Sequence, residues 1–271
     1  VITYSTTISA CEKGQQWTTA VSLLREMQKW NIEANVITYN ATISACEKGQ
    51  QWTTAVSLLR EMQKWNMEAN VITYSATISA CEKGQQWTTA VSLLREMQKW
   101  NMEANVITYN ATISACEKGQ QWTTAVSLLR EMQKWNMEAD AIIYNATISA
   151  CEKGQQWTTA VSLLREMQKW NMEADVITYN ATISACEKGH QWNTAVSLLR
   201  QMYWWNMEAN VITYSATISA CEKGQQWTTA VSLLREMQKW NMEANVITYN
   251  ATISACEKGH QWNTAVSLLR E

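Results

Sequence analysis

The chain copies itself at an interval of 35 residues, with V-I-T-Y at Val1, Val36, Val71, Val106, Val176, Val211 and Val246 and a variant, A-I-I-Y, at Ala141. No insertion breaks the register through seven full units and a shortened eighth. Self-similarity at a period of about 20–50 residues means stacked units that share one continuous core, because a single unit cannot bury its own apolar face. The 271 residues are therefore read as one repeat array, residues 1–271. Its units are 1–35, 36–70, 71–105, 106–140, 141–175, 176–210, 211–245 and the truncated 246–271.

Hydrophobic spacing decides what a unit folds into. Between Thr3 and Lys13 the larger apolar residues Tyr4, Ile8 and Cys11 fall at i, i+4 and i+7, one face of a helix. Between Trp17 and Trp30 the residues Trp17, Ala20, Val21, Leu24 and Met27 form a second stripe, which Leu23 and Trp30 widen. Gly14 is expected to take the left-handed conformation that ends the first helix, and Asn31 to do the same for the second. Asn35, or aspartate at its copies, is placed to cap the next helix. The expectation is an all-α chain, a right-handed α-solenoid (superhelix) of stacked helix-turn-helix repeats.

Composition narrows function mainly by exclusion. The formal net charge is −2, and in the first unit Lys13, Arg25 and Lys29 are balanced by Glu12, Glu26 and Glu33, so no broad basic field is present to recruit duplex DNA or an anionic membrane. The eight cysteines recur singly, one per unit, which fits packing in a reducing compartment rather than a disulfide framework. No apolar run is long enough to span a bilayer, and no signal or transit peptide is visible. The chain opens on valine and stops within a repeat, so it is expected to be a fragment. His190 and His260 fall in turns without a Cys or Asp cluster. No nucleophile, base and orienting group recur together, and no phosphate loop or zinc pattern exists, so neither enzyme, metal site, cofactor nor small-molecule substrate is expected.

A 35-residue hairpin that opens V-I-T-Y-N, carries I-S-A-C-E-K-G into its first turn and continues A-V-S-L-L-R-E-M-Q resembles the pentatricopeptide repeat family, over essentially the whole chain. The tetratricopeptide pattern, with its W-x-x-L-G-x-x-Y signature and late proline, is absent. The resemblance implies a superhelix that binds single-stranded RNA at about one base per repeat. It also implies mitochondrial or plastid RNA processing, stability or translation.

In that family the fifth and last residues of a repeat read the base, and the second packs against it. The implied reading pairs are Ser5 with Asn35, Asn40 with Asn70, Ser75 with Asn105, Asn110 with Asp140, Asn145 with Asp175, Asn180 with Asn210, and Ser215 with Asn245. Asn250 has no paired position. The implied clamping residues are Ile2, Ile37, Ile72, Ile107, Ile142, Ile177, Ile212 and Ile247. With the family's code the target is 5′-A-Y-A-U-U-Y-A-3′. Lys13, Lys48, Lys83, Lys118, Lys153, Lys188, Lys223 and Lys258 form a ladder that is a candidate for phosphate contact, although a lysine at a helix C-terminus is also favoured by the dipole alone.

Variation among the units supports this reading independently. Of the 35 positions, 11 vary, seven of them in one unit only, and two more travel together at His190 with Asn193 and His260 with Asn263. Only the fifth and last positions alternate repeatedly and in different combinations. Helix capping explains Asn or Asp at the last position but gives no reason for the fifth to vary. The competing expectation, a protein-binding scaffold, would spread variation over further positions such as Ser9 and Glu12, which are constant.

Overall fold

The computed structural model describes residues 2–270. Its contacts divide into two compact units, Val1–Ala139 and Asp140–Glu271. The first holds α1 (Ile2–Lys13), α2 (Trp17–Lys29), α3 (Val36–Lys48), α4 (Trp52–Lys64), α5 (Val71–Lys83), α6 (Trp87–Lys99), α7 (Val106–Lys118) and α8 (Trp122–Lys134). The second holds α9 (Ala141–Lys153), α10 (Trp157–Lys169), α11 (Val176–Lys188), α12 (Trp192–Trp204), α13 (Val211–Lys223), α14 (Trp227–Lys239), α15 (Val246–Lys258) and α16 (Trp262–Leu269). No strand occurs among the described residues.

Within each unit the odd-numbered helices pack against one another in sequence. Each also touches its own even-numbered partner, and α3, α5, α7, α11, α13 and α15 touch the even-numbered helix of the repeat before as well. An odd helix is thereby surrounded on most sides. In α3 the burial extends beyond the expected Tyr39, Ile43 and Cys46 to Thr38, Ala41, Thr42 and Ala45. The small side chains let helices approach closely, and Thr42 satisfies its hydroxyl inside the helix by donating to the Thr38 carbonyl at 2.8 Å. The even helices keep the one-sided stripe that the spacing predicts, with Ala55, Leu58, Leu59 and Met62 fully buried in α4.

Both hairpin turns are Schellman closures, in which the last turn's carbonyls are satisfied by amides from beyond the helix. At the end of α3 the Gln51 amide donates to the Cys46 carbonyl at 2.8 Å and that of Gln50 to Glu47 at 3.1 Å. After α4 the pair is Met67 to Met62 at 2.9 Å and Asn66 to Gln63 at 3.1 Å. Asn31 and its copies hold the expected positive φ, 54° at Asn31 itself.

The glycine expectation is corrected. Gly49 and Gly84 sit at φ −81°, while the left-handed residue is the one after, Gln50 at 58° and Gln85 at 57°. The glycine is required by contact between repeats instead. A Cβ on Gly84 would lie 2.3 Å from Cδ1 of Trp52, at the start of the preceding repeat's second helix. Trp30 and its copies are corrected too. They follow the second helix as caps and are mostly exposed, 64% at Trp30, rather than widening its buried stripe.

Candidate nucleic-acid interface

The variable positions converge on one end of each odd-numbered helix. The last residue of a repeat is the N-cap of the next odd helix. Asn35, Asn70 and Asn105 in the first unit, and Asp140, Asp175, Asn210 and Asn245 in the second, each accept the backbone amide three residues on. Capping fixes their backbone and one oxygen, while the residues themselves remain exposed. The fifth residue lies just over one turn into the helix and is half-buried in Ser5, Asn40, Ser75, Asn110, Asn145, Asn180 and Ser215. Asn250 is exposed.

The fifth and last residues of one repeat meet although 30 residues separate them in sequence. Asn40 Nδ2 donates to Asn70 Oδ1 at 3.3 Å in the first unit, and Asn180 Nδ2 to Asn210 Oδ1 at 3.4 Å in the second. Ser5 reaches Asn35 through one intermediary, Thr38. Its Oγ lies 2.8 Å from Thr38 Oγ1, which donates to Asn35 Oδ1 at 2.9 Å. The same chain of contacts joins Ser75 to Asn105 through Thr108, and Ser215 to Asn245 through Thr248. Asn110 belongs to the first unit and Asp140 to the second.

Beside these pairs stand the second-position isoleucines. Ile37, Ile72, Ile107, Ile142, Ile177, Ile212 and Ile247 are 61–67% exposed, and Ile2 is 80% exposed. Each uncovered isoleucine of a repeat after the first stands two residues after an N-cap and three before the fifth-position amide or hydroxyl. Apolar groups that can receive a base face are thus set beside polar groups that can read a base edge.

The lysine ladder is engaged within the protein. Six of its eight lysines reach back one repeat to a glutamate: Lys48 to Glu12 at 2.9 Å, Lys83 to Glu47 at 2.8 Å and Lys223 to Glu187 at 2.8 Å. Lys118 pairs likewise with Glu82, Lys188 with Glu152 and Lys258 with Glu222. The lysines are about one-third exposed, so a phosphate would have to compete with a carboxylate already in place. Lys153 also has interaction partners.

A second inter-repeat cluster joins α2, α3 and α4. Tyr39 Oη donates to Glu61 Oε1 at 2.7 Å, Arg25 Nη1 donates to Glu61 Oε2 at 2.7 Å, and Gln28 donates to both Tyr39 and Glu61. Burial and the Glu61 carboxylate together push the Tyr39 phenol up to about 12. Burial acts to raise the Glu61 carboxyl, but donation from Arg25, Tyr39 and Gln28 outweighs it and leaves the carboxyl below its ordinary value. In the sixth repeat Tyr203 stands in the glutamine position and joins Tyr214 directly, while Trp204 beside it is 87% exposed. Of these two residues particular to the sixth repeat, Tyr203 joins the inter-repeat cluster and Trp204 faces outward.

The third-position threonines escaped the sequence reading. Thr38, Thr73, Thr108, Thr178, Thr213 and Thr248 are fully buried and bonded to the fifth residue of the repeat before. Their spacing to the N-cap, N-x-x-T, is a local capping signal. The contact 33 residues back has no local signal at all. Among the described residues no group of His, Cys, Asp and Glu could hold a metal ion. No helix among the described residues is long and apolar enough to cross a membrane.

Comparison with known proteins agrees with this architecture. The sequence matches the PPR repeat family over residues 1–48, 34–83, 104–153, 139–188 and 174–223, and the PPR repeat over 72–102, 212–242 and 247–271. No curated protein sequence matches it. Among solved structures it is similar to the pentatricopeptide repeat protein PPR10 from maize, at TM-score 0.67 and 18% identity, covering 99% of this chain and 43% of that one. PPR10 in complex with an 18-nt psaJ RNA element matches at TM-score 0.56 and 18% identity, with 99% and 44% covered. The PPR domain of Arabidopsis thaliana protein-only RNase P 1, in complex with tRNA, matches at TM-score 0.58 and 9% identity, covering 66% of this chain and 95% of that one. The chain therefore spans less than half the length of the maize protein. Its all-α repeats have the solenoid fold of these structures, and the chain belongs to the pentatricopeptide repeat family.

Proposed function

We propose that this chain binds single-stranded RNA in a sequence-specific manner, one base per repeat, with the target 5′-A-Y-A-U-U-Y-A-3′. The observation that carries the proposal is that the two positions that alternate repeatedly in sequence are also two that touch, Asn40 with Asn70 and Asn180 with Asn210. Drift between copies gives no reason for that coincidence. The bases would stack against the exposed isoleucines, a contribution of about 1–3 kcal/mol per base, and the polar pairs would discriminate between them. The solved complexes of PPR10 with an RNA element and of the protein-only RNase P 1 domain with tRNA support RNA as the partner class. Family membership extends the proposal to mitochondrial or plastid transcripts, and to their processing, stability or translation. The lysine ladder would contribute phosphate contacts only by exchanging its glutamate partners.

The test is a binding series on the full chain. The predicted heptamer should bind at least tenfold more tightly than a shuffled heptamer at each of several salt concentrations. Changing Asn145→Ser together with Asp175→Asn should move the fifth preference from uracil to adenine and leave the other positions alone. Equal affinity for ordered and shuffled RNA would sink the proposal.

A further inference from the structure

The repeat junctions differ in how a single hydroxyl proton is used. A threonine hydroxyl has one proton to give and two lone pairs to receive. At the third position that single proton is used in two different ways, and the fifth residue decides which.

Where the fifth residue is serine, Thr38, Thr108 and Thr248 each donate to the N-cap Oδ1 at 2.9 Å. With its proton committed there, the threonine can only accept from the serine. The Ser–Thr separations are 2.8 Å at Ser5, 2.7 Å at Ser75 and 2.6 Å at Ser215. The serine's own proton is thereby used, and toward a ligand it offers lone pairs alone.

Where the fifth residue is asparagine, the arrangement reverses. Thr73, Thr178 and Thr213 each receive the N-cap backbone amide at 3.1 Å, a bond absent at the serine junctions. Each then approaches the fifth residue's Oδ1 at 2.6 Å, for Asn40, Asn145 and Asn180. The N-cap Oδ1 lies farther off in the two Asn–Asn junctions, 3.1 Å from both Thr73 and Thr213. The amide orientation there is determined by the network. Asn70 Oδ1 must be oxygen because it accepts the Thr73 amide, so the atom of Asn40 facing it at 3.3 Å must be the NH2 group. Asparagine therefore keeps its oxygen inward on the threonine and has its NH2 to offer. At Asp175 a carboxylate oxygen, 2.8 Å away, competes for the Thr178 proton, and the 2.6 Å bond to Asn145 is the shorter.

We infer that the third-position threonine is a specificity-determining positioning residue: its hydroxyl sets serine as an acceptor and asparagine as a donor toward the base. An acceptor suits the N6 amino group of adenine, and a donor suits a pyrimidine carbonyl such as uracil O4. The inference rests on the RNA-binding proposal and adds to it a buried residue that touches no base. The sequence replaces this threonine once, by Ile143.

The experiment measures Kd for four RNAs that differ only in the second base, using the full chain and its Thr73→Val and Thr73→Ser variants. Valine removes the hydroxyl at similar volume, so the Asn40 amide is no longer oriented. The preference for pyrimidine over purine at that base should fall at least fivefold, with preferences at the other bases unchanged. Serine restores the hydroxyl and should restore the ratio. Helical circular dichroism checks that each variant is folded, and Thr213→Val, read at the sixth base, serves if Thr73→Val does not fold. A folded valine variant that discriminates as well as the parent overturns the threonine's role and leaves RNA reading intact. A parent chain that discriminates no base overturns both.

Discussion

At the scale of single residues, conformational roles are distributed against first expectation. The glycine of each repeat has an ordinary φ, and glutamine or histidine carries the left-handed one, as in Gln85 at 57°. A side chain with a Cβ in that region is strained by about 1 kcal/mol or more, and exposed Gln85 recovers nothing through a hydrogen bond of its own side chain. Gln85→Gly is accordingly expected to stabilise the chain by about 0.5–1 kcal/mol, measured as an upward shift of the urea midpoint with no change in slope. The sequence pointed to a left-handed residue in this turn but assigned it one place too early. Glycine is the usual occupant, and what excludes a side chain at Gly84 is Trp52, a residue of the preceding repeat.

At the scale of elements, that contact shows how one repeat seats on another. Gly84→Ala would drive a methyl group to 2.3 Å from the Trp52 ring, which is anchored at a helix start and cannot simply swing aside. The expected cost is about 1–3 kcal/mol of overpacking. Gly14→Ala is the matched control, because its nearest foreign atom is the Ala10 carbonyl at 3.4 Å, and it should change stability by less than about 0.5 kcal/mol. Thermal melts of the two variants side by side check both. Helix positions were legible from periodicity, with ends displaced by no more than a residue or two. The burial of the odd helices was not, because Thr38 and Thr42 carry no apolar signal. They are buried by being enclosed between neighbouring helices.

At the scale of the whole molecule, the same ionisable groups recur in each repeat, so their effects on stability accumulate. The carboxyls of Glu61, Glu96, Glu131 and Glu236 are held below the ordinary value: burial opposes this, but their donors outweigh it. A depressed folded value contributes stability that is present above the unfolded carboxylate value and is lost as pH falls through the folded one. The phenols of Tyr39, Tyr74 and Tyr109 are raised to about 12, and burial lifts the thiols of Cys81, Cys116 and Cys151 to about 12. Groups raised in the fold contribute stability that is complete below the unfolded values and is lost as pH rises toward the folded ones. Urea midpoints are therefore expected to be level from about pH 6 to 8, to fall below about pH 4, and to fall again above about pH 9. A midpoint that rises above pH 9 would contradict the burial of these groups.

Read alone, the sequence determined the period, the two helices of each repeat, the N-caps and the pair of positions that vary, because each of these leaves a local or periodic mark on residue type. Tertiary structure decided what periodicity cannot encode. It set Gly84 against Trp52, paired Lys83 with Glu47 one repeat back, and brought Asn40 to Asn70 and to the buried Thr73. These partners lie 30 to 36 residues apart and meet only when one repeat stacks on the next. The direction of a hydroxyl proton then depends on atoms from two repeats at once, and no single copy of the repeat contains both.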